Sequence, residues 1–295
     1  MTSSFRSGFI SILGRPNVGK STLLNRLVGE KLSAVSRKPQ TTRGTIRGIL
    51  STPEGQAIFL DTPGFHEPRD RLGEWMLGEI HKAMESSDLI YWMVFPELPR
   101  LGEQEFLREL QKSRVPLFLL INQVDRIEKG KILPVIDAYQ KIFSFHEILP
   151  VSALQGDNLP PLLRKTFESL PENPAYFPEE LLTDQNERTI VAEMIREKIF
   201  RLTGEEIPYS SAVEIEEYKE RSEKLVAIRA VILVEKDSQK AILIGKGGSK
   251  IRQIGQEARR EIERFLGKKV FLELWVKTLK NWKKNPAALK RLGFE

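Results

Sequence analysis

The residues best suited to chemistry are Gly14, Arg15, Pro16, Asn17, Val18, Gly19, Lys20 and Ser21, which meet the pattern G-x-x-x-x-G-K-[ST] at every fixed position. A loop of this kind wraps phosphates with backbone N–H groups, and its glycines allow an approach that a Cβ would block. Lys20 is expected to reach the terminal phosphates and the Ser21 hydroxyl to bind Mg²⁺, with Thr22 completing the phosphate site. Three further clusters decide which nucleotide fits. In Asp61-Thr62-Pro63-Gly64, the carboxylate can hold the Mg²⁺ shell and the Gly64 N–H can meet a γ-phosphate. In Asn122-Gln123-Val124-Asp125, a carboxylate can accept both N–H groups of a guanine edge, which adenine does not offer. Ser152-Ala153 can supply a backbone N–H to the guanine oxygen. Each cluster alone is also an ordinary turn.

The elements that must position these clusters are legible. Gly8–Leu13, Ala57–Leu60, Val115–Ile121 and Glu147–Val151 are short apolar runs, and each motif sits at the carboxyl end of one. Ligands of open α/β sheets bind at those ends. From Gly8 to about Leu170 such runs alternate with amphipathic helical stretches, which predicts an α/β domain with a mostly parallel sheet and flanking helices. The whole is the pattern of a GTP-binding domain, expected over residues 1–172. A reading as an ATPase fails on Asp125.

Pro171, Pro174 and Pro178 interrupt any helix, so 173–185 reads as a linker whose apolar residues pack on something. Beyond it, 186–295 has a different grammar. A helix is expected over Asn186–Leu202 and a hairpin from Val213–Lys219 and Leu225–Glu235. A short apolar strand, Ala241–Ile244, precedes Gly245-Lys246-Gly247-Gly248, followed by a helix over Ser249–Phe265 and a strand over Val270–Val276. That order around a GxxG loop resembles the KH RNA-binding module in its type II, α+β arrangement. The resemblance implies that Gly245, Lys246, Gly247, Gly248 and Lys250 grip an RNA backbone. The plain alternative is a turn that starts a helix.

Composition narrows the classes. The chain has 295 residues, 40% hydrophobic and 29% charged, within the range of a soluble globular protein. It has no cysteine, which excludes disulfides and thiolate metal sites, and its three histidines are not clustered. Neither a signal peptide nor a run of about 20 apolar residues is present. From Gly245 onward, fourteen Lys and Arg face five Asp and Glu, although the whole chain carries only +6. That end suits a polyanionic partner, or is a solvated lysine-rich surface.

A GTP-binding domain followed by a KH module resembles the Era family of bacterial GTPases over nearly the whole chain. Pro39-Gln40-Thr41-Thr42-Arg43, Phe65-His66 after Gly64, Ile195–Lys198, Gly204–Ser210 and Glu273–Lys277 carry the resemblance. It implies a GTP-hydrolysing switch that binds the 3′ end of small-subunit ribosomal RNA and assists assembly of the small ribosomal subunit. It implies a cytoplasmic monomer with peripheral inner-membrane contact. Thr42 becomes the switch threonine on Mg²⁺ beside Ser21 and Asp61, with Thr41, Thr62, Pro63 and Phe65 in the switch regions Ser33–Arg43 and Gly64–Arg71. Asn17 matches a residue that helps bind K⁺ in related GTPases, or it caps its own turn.

Two departures stand out. The family pattern at the guanine site has lysine where this chain has Gln123, which removes a charge and predicts a loss of about 1 kcal/mol in nucleotide affinity. Phe65 stands where a water-orienting glutamine serves in Ras-like proteins, so unassisted turnover is expected to be slow. Together they motivate an alternative, a nucleotide-gated RNA-binding scaffold with little or no hydrolysis. The Lys280–Lys284 segment leaves Trp282 either stacked on a base, set against a membrane surface or packed inside.

Overall fold

In the computed structural model, residues 4–294 are described, except 37, 39, 40, 66, 69, 112, 113 and 205. Pro39, Gln40, His66 and Glu205 of the motifs above therefore lie outside the described residues, as do Arg37 and Arg69 of the switch regions. The chain divides into two compact units. One comprises 1–32, 42–66 and 78–184; the other comprises 33–41, 67–77 and 185–295.

The first unit is a six-stranded sheet in the order β2-β3-β1-β4-β5-β6. Its strands are β1 (Arg6–Gly14), β2 (Ile46–Thr52), β3 (Gly55–Asp61), β4 (Leu89–Val94), β5 (Leu117–Ile121) and β6 (Glu147–Pro150). Only β2 runs antiparallel to its neighbour; the other pairings are parallel. Every residue of β4 and β5 is buried, as central strands covered on both faces require. Helices α1 (Lys20–Val28), α3 (Leu101–Leu110), α4 (Ile132–Gln140) and α5 (Leu159–Ser169), with residues 78–85 of α2 (Arg71–Glu85), complete the alternation. Because β1 lies between β3 and β4, the connections leaving β1 and β3 diverge, which opens the crevice where ligands of such sheets bind.

The proline-rich segment belongs to this unit. Phe177 and Leu181 pack against Ile49, Ile58, Leu60 and Ala83. The buried Gln56 carboxamide serves its backbone: Oε1 accepts from the N–H groups of Tyr176 (2.8 Å) and Phe177 (2.9 Å), and Nε2 donates to the Phe177 carbonyl (2.8 Å). Further along, the Ile49 N–H donates to the Leu182 carbonyl (2.8 Å).

The second unit contains α6 (Glu187–Leu202), α7 (Ile207–Ser210), β7 (Ala212–Ser222), β8 (Leu225–Val234), α8 (Asp237–Ile244), α9 (Ser249–Leu266), β9 (Lys269–Thr278) and α10 (Pro286–Arg291). Its sheet is β7-β8-β9, with β8 antiparallel to β7 and parallel to β9. Ile190, Met194, Ile254, Ala258 and Ile262 of α6 and α9 meet Ile228, Ala230, Ile232 and Val270 in one cluster. Val231 and Leu233 point to the other cluster, with Leu72, Met76, Trp282 and Leu289. This is why β8 is apolar on both faces. Trp282 is packed inside: it is fully buried and its Nε1 donates to the Ser210 carbonyl (2.9 Å).

One expected strand is a helix. Ala241–Ile244 is the last turn of α8, so the glycine loop joins two helices rather than a strand to a helix. The signal lies upstream. Gln239 is buried and its Oε1 accepts from the N–H groups of Glu235 (3.0 Å) and Lys236 (3.1 Å), which fastens the start of the helix. Three consecutive β-prone residues at its end hid that start.

Candidate nucleotide and RNA sites

The phosphate loop joins β1 to α1. At Gly19, φ is +109°, and a Cβ there would lie 2.3 Å from Asn122 Nδ2. Lys20 is buried, and its Nζ donates to the carbonyls of Gly14 (3.2 Å) and Arg15 (3.3 Å). Burial drives its pKa down to about 8, against the opposing pull of the Asp61 carboxylate. The ammonium is thus held inside the loop, short of the counter-charge that a phosphate brings. The side chain of Arg15 is engaged elsewhere: it lies 3.7 Å from Glu97 and 4.0 Å from Glu103, over the Phe95 ring.

Three oxygens converge beside Lys20. Ser21 Oγ donates to Asp61 Oδ2 (2.7 Å), the Ser21 and Thr42 hydroxyl oxygens are 2.9 Å apart, and Thr42 Oγ1 lies 3.3 Å from the same carboxylate oxygen. Among the described residues no group of three or more His, Asp or Glu is placed to hold a metal ion. A cation here would meet two hydroxyls and one carboxylate, all hard oxygen donors, which suits Mg²⁺ with water filling its remaining positions. The neighbours hold this geometry: Thr62 Oγ1 donates to the Ile12 carbonyl (2.8 Å), and Thr41 Oγ1 to that of Lys38 (3.0 Å). Pro63 and Gly64 are buried. The Phe65 N–H donates to the Gly14 carbonyl (3.1 Å), while its ring packs on Phe106 with centroids 4.5 Å apart.

The residues expected to read guanine divide their labour. Asn122 is buried; its Nδ2 donates to the Val18 carbonyl (2.6 Å) and its Oδ1 accepts from the Ala153 N–H (2.9 Å). It ties the phosphate loop to the loop after β6, and the Ala153 amide serves that tie. Asp125 is exposed, and its Oδ1 accepts from Ser152 Oγ (2.7 Å), which leaves the carboxylate anchored at one oxygen. Gln123 has φ +66°; its Nε2 donates to the Asn17 carbonyl (3.3 Å), and Asn17 has a left-handed backbone as well. Arg126, which sequence reasoning missed, donates from Nη1 to Gln123 Oε1 (2.9 Å).

In the second unit the glycine loop turns through Gly245, Gly247 and Gly248, all with positive φ. No heavy atom would lie within 4 Å of a Cβ on Gly247. Lys246 is exposed and Lys250 half-buried. Beside the loop is a cleft of about 380 Å³, lined by Leu272 and Leu274 of β9, by Gly248 of the loop and by Arg252, Gly255 and Arg259 of α9. Arg252 and Arg259 were not singled out from the sequence. Their spacing from Gly248 and Gly255, alternating four and three, marks one helix face and was the available signal.

Residues 9–123 match the family model described as 50S ribosome-binding GTPase, and residues 206–283 match that of the KH domain. The chain is 49% identical to the GTPase Era of Geobacter metallireducens over 292 residues, covering 98% of each. It is 48% identical to the GTPase Era of Heliobacterium modesticaldum, covering 98% of this chain and 97% of that one. Its fold superposes with a TM-score of 0.95 on a crystal structure of Era in complex with MgGDPNP and nucleotides 1506–1542 of 16S ribosomal RNA, at 40% identity, covering 98% of this chain and 99% of the other. An Aquifex aeolicus Era variant bound to GDP·AlF4⁻ gives the same TM-score at 39% identity, with the same coverage.

Proposed function

The chain belongs to the GTPase Era family and is a GTPase, and from that premise we propose that it binds the 3′ end of small-subunit ribosomal RNA under the control of bound GTP or GDP, and so assists assembly of the small ribosomal subunit. The observation that carries the nucleotide half is the convergence of Ser21, Thr42 and Asp61 beside a buried Lys20. The RNA half rests on the glycine loop opening onto a cleft edged by two arginines. The early half of this reading is local chemistry; the late half leans on the relative crystallised with 16S ribosomal RNA.

In this reading Gly14 to Thr22 and Gly64 hold the phosphates, and Lys20 exchanges two carbonyl partners for phosphate oxygens. Ser21 and Thr42 hold Mg²⁺ directly, and Asp61 acts on its shell; when bound, the ion offsets charge on the β- and γ-phosphates. Asp125 takes the guanine edge, positioned by Ser152, while Asn122 and Ala153 keep the two loops in register. Phe65 has no group to orient water, and its ring is committed to Phe106, so chemistry without help is slow. Asn17 as a K⁺ ligand is the proposed source of part of that help. The protein works in the cytoplasm as a monomer; these two statements and a peripheral membrane contact rest on the resemblance. No helix among the described residues is long and apolar enough to cross a membrane.

The test uses fluorescent GTP and a short RNA copy of the 3′ end, titrated against the full chain, Lys20→Ala and Gly247→Asp. Lys20→Ala is expected to lose nucleotide and keep RNA; Gly247→Asp, which meets no neighbour, is expected to fold, keep nucleotide and lose RNA. The reverse pattern overturns the assignment. Phosphate release in the same samples is expected to run severalfold faster in K⁺ than in Na⁺, and equal rates remove Asn17 from that role.

A further inference from the structure

The loop after β5 is fastened to the phosphate loop at two consecutive carbonyls, Val18 by Asn122 and Asn17 by Gln123. The first tie is buried and its geometry leaves no choice, because both ends of the Asn122 carboxamide are engaged. The second is half-exposed and depends on which way a primary amide faces. An amide turned the wrong way would set its oxygen against the Asn17 carbonyl, oxygen against oxygen. Arg126 decides the matter, since a guanidinium has only donors and can bond only the amide oxygen. With Oε1 held at 2.9 Å by Arg126, the NH₂ group must face Asn17. Arg126 is itself placed by the single 3-10 turn Val124–Arg126, whose closing bond runs from its N–H to the Gln123 carbonyl (3.0 Å). A charged donor on one end of an amide also strengthens the bond made by its other end.

We propose that Arg126 is a positioning residue for the nucleotide: acting through Gln123, it orients the amide that secures the phosphate loop at Asn17. Arg126 touches neither base nor phosphate in this account. The chain thereby makes, with two residues, a tie to the phosphate loop that one lysine at position 123 would make as a single donor. The proposal rests on the reading that residues 14–21 and 122–125 hold a guanine nucleotide.

The test is a double-mutant cycle on the full chain, read as dissociation constants and off-rates for fluorescent GDP and GTP, with the thermal unfolding of nucleotide-free protein alongside. Arg126→Ala is expected to weaken both nucleotides by roughly 3–10-fold, mainly through faster release, with no change in unfolding temperature. In a Gln123→Leu background, where there is no amide to orient, the same substitution is expected to change affinity by less than about 2-fold. Gln123→Lys is expected to bind at least as tightly as wild type and to be equally indifferent to Arg126→Ala. Arg126→Lys recovers part of the loss, as one donor without a fork. Equal effects of Arg126→Ala in all backgrounds, or none in wild type, overturn the proposal. Absence of GTP binding by the wild type would instead sink the site assignment beneath it.

Discussion

Lys20, proposed to bind phosphate, is held at a cost to the empty protein. Its pKa of about 8 lies below that of an unfolded lysine, so at neutral pH the folded chain carries the full penalty of a buried charge. The unfolded state binds more protons between these two values, so the nucleotide-free fold gains stability as pH rises through about 8 towards the unfolded value. A bound triphosphate reverses the balance by supplying counter-charge. Nucleotide binding at about pH 9 is therefore expected to take up protons through Lys20, and at about pH 7 to take up few. Calorimetry in buffers of different ionisation enthalpy measures this; proton release at the higher pH contradicts the assignment of Lys20. That Lys20 and Ser21 would come together with Asp61 was legible, because the loop pattern is local and each cluster ends an apolar strand on the same side of the sheet. For the residues expected to read guanine, nothing local in the sequence says that Asn122 spends its amide on Val18 and Ala153. Gln123 was legible as a lost charge and not as a tie, because its partners at 17 and 126 come from a distant loop and from a turn.

At the level of elements, the proline-rich segment is part of the first unit's fabric. All the polar capacity of Gln56 is used, on Tyr176, Phe177 and Ser51. Gln56→Ala removes one side chain and strands three backbone groups of the segment, at a cost of about 2–3 kcal/mol, the penalty of buried groups left unpaired. Limited proteolysis is expected to cut the variant within 174–182 while sparing the wild type there, with GTP affinity nearly unchanged. Equal cleavage of both proteins contradicts the anchoring role. The prolines marked a break in helix and the apolar residues a segment that packs; what the sequence hid is the partner, because a buried glutamine on a strand leaves no mark in periodicity. The same blindness produced the missed helix α8, whose apolar end looks like a strand until Gln239 is seen fastening its start. Strand β5 and helices α6 and α9 were plain from their patterns, the strand as an unbroken apolar run and the helices as long periodic stretches.

At the scale of the whole molecule, the two units are not two consecutive lengths of chain. Residues 33–41 and 67–77 come early in sequence and are grouped with 185–295. Within that unit, Lys38 Nζ donates to the carbonyls of Phe200 (2.6 Å) and Thr203, at the end of α6, and the Val35 N–H donates to the buried Glu197 (3.0 Å). Leu72 and Met76 complete the apolar cluster around Trp282 and Leu289. None of this was legible, since contacts between residues more than a hundred positions apart have no local signature. A fragment of residues 185–295 lacks Leu72, Met76 and Lys38. It is expected to bind an apolar dye and to melt lower than the same unit in the full chain, by an amount on the order of two core truncations at 2–4 kcal/mol each. A fragment as stable as the intact unit, with no dye binding, contradicts this.

The borrowed segments also bear on how such a protein can change over generations. Recombination that joined a new nucleotide-binding half to this RNA-binding half at residue 185 would bring foreign side chains to the places of Lys38, Leu72 and Met76. A working hybrid would need compatible residues in both halves at once. Inheritance of the two halves is thereby bound together, and a lineage is expected to vary them in concert rather than trade them as separable parts.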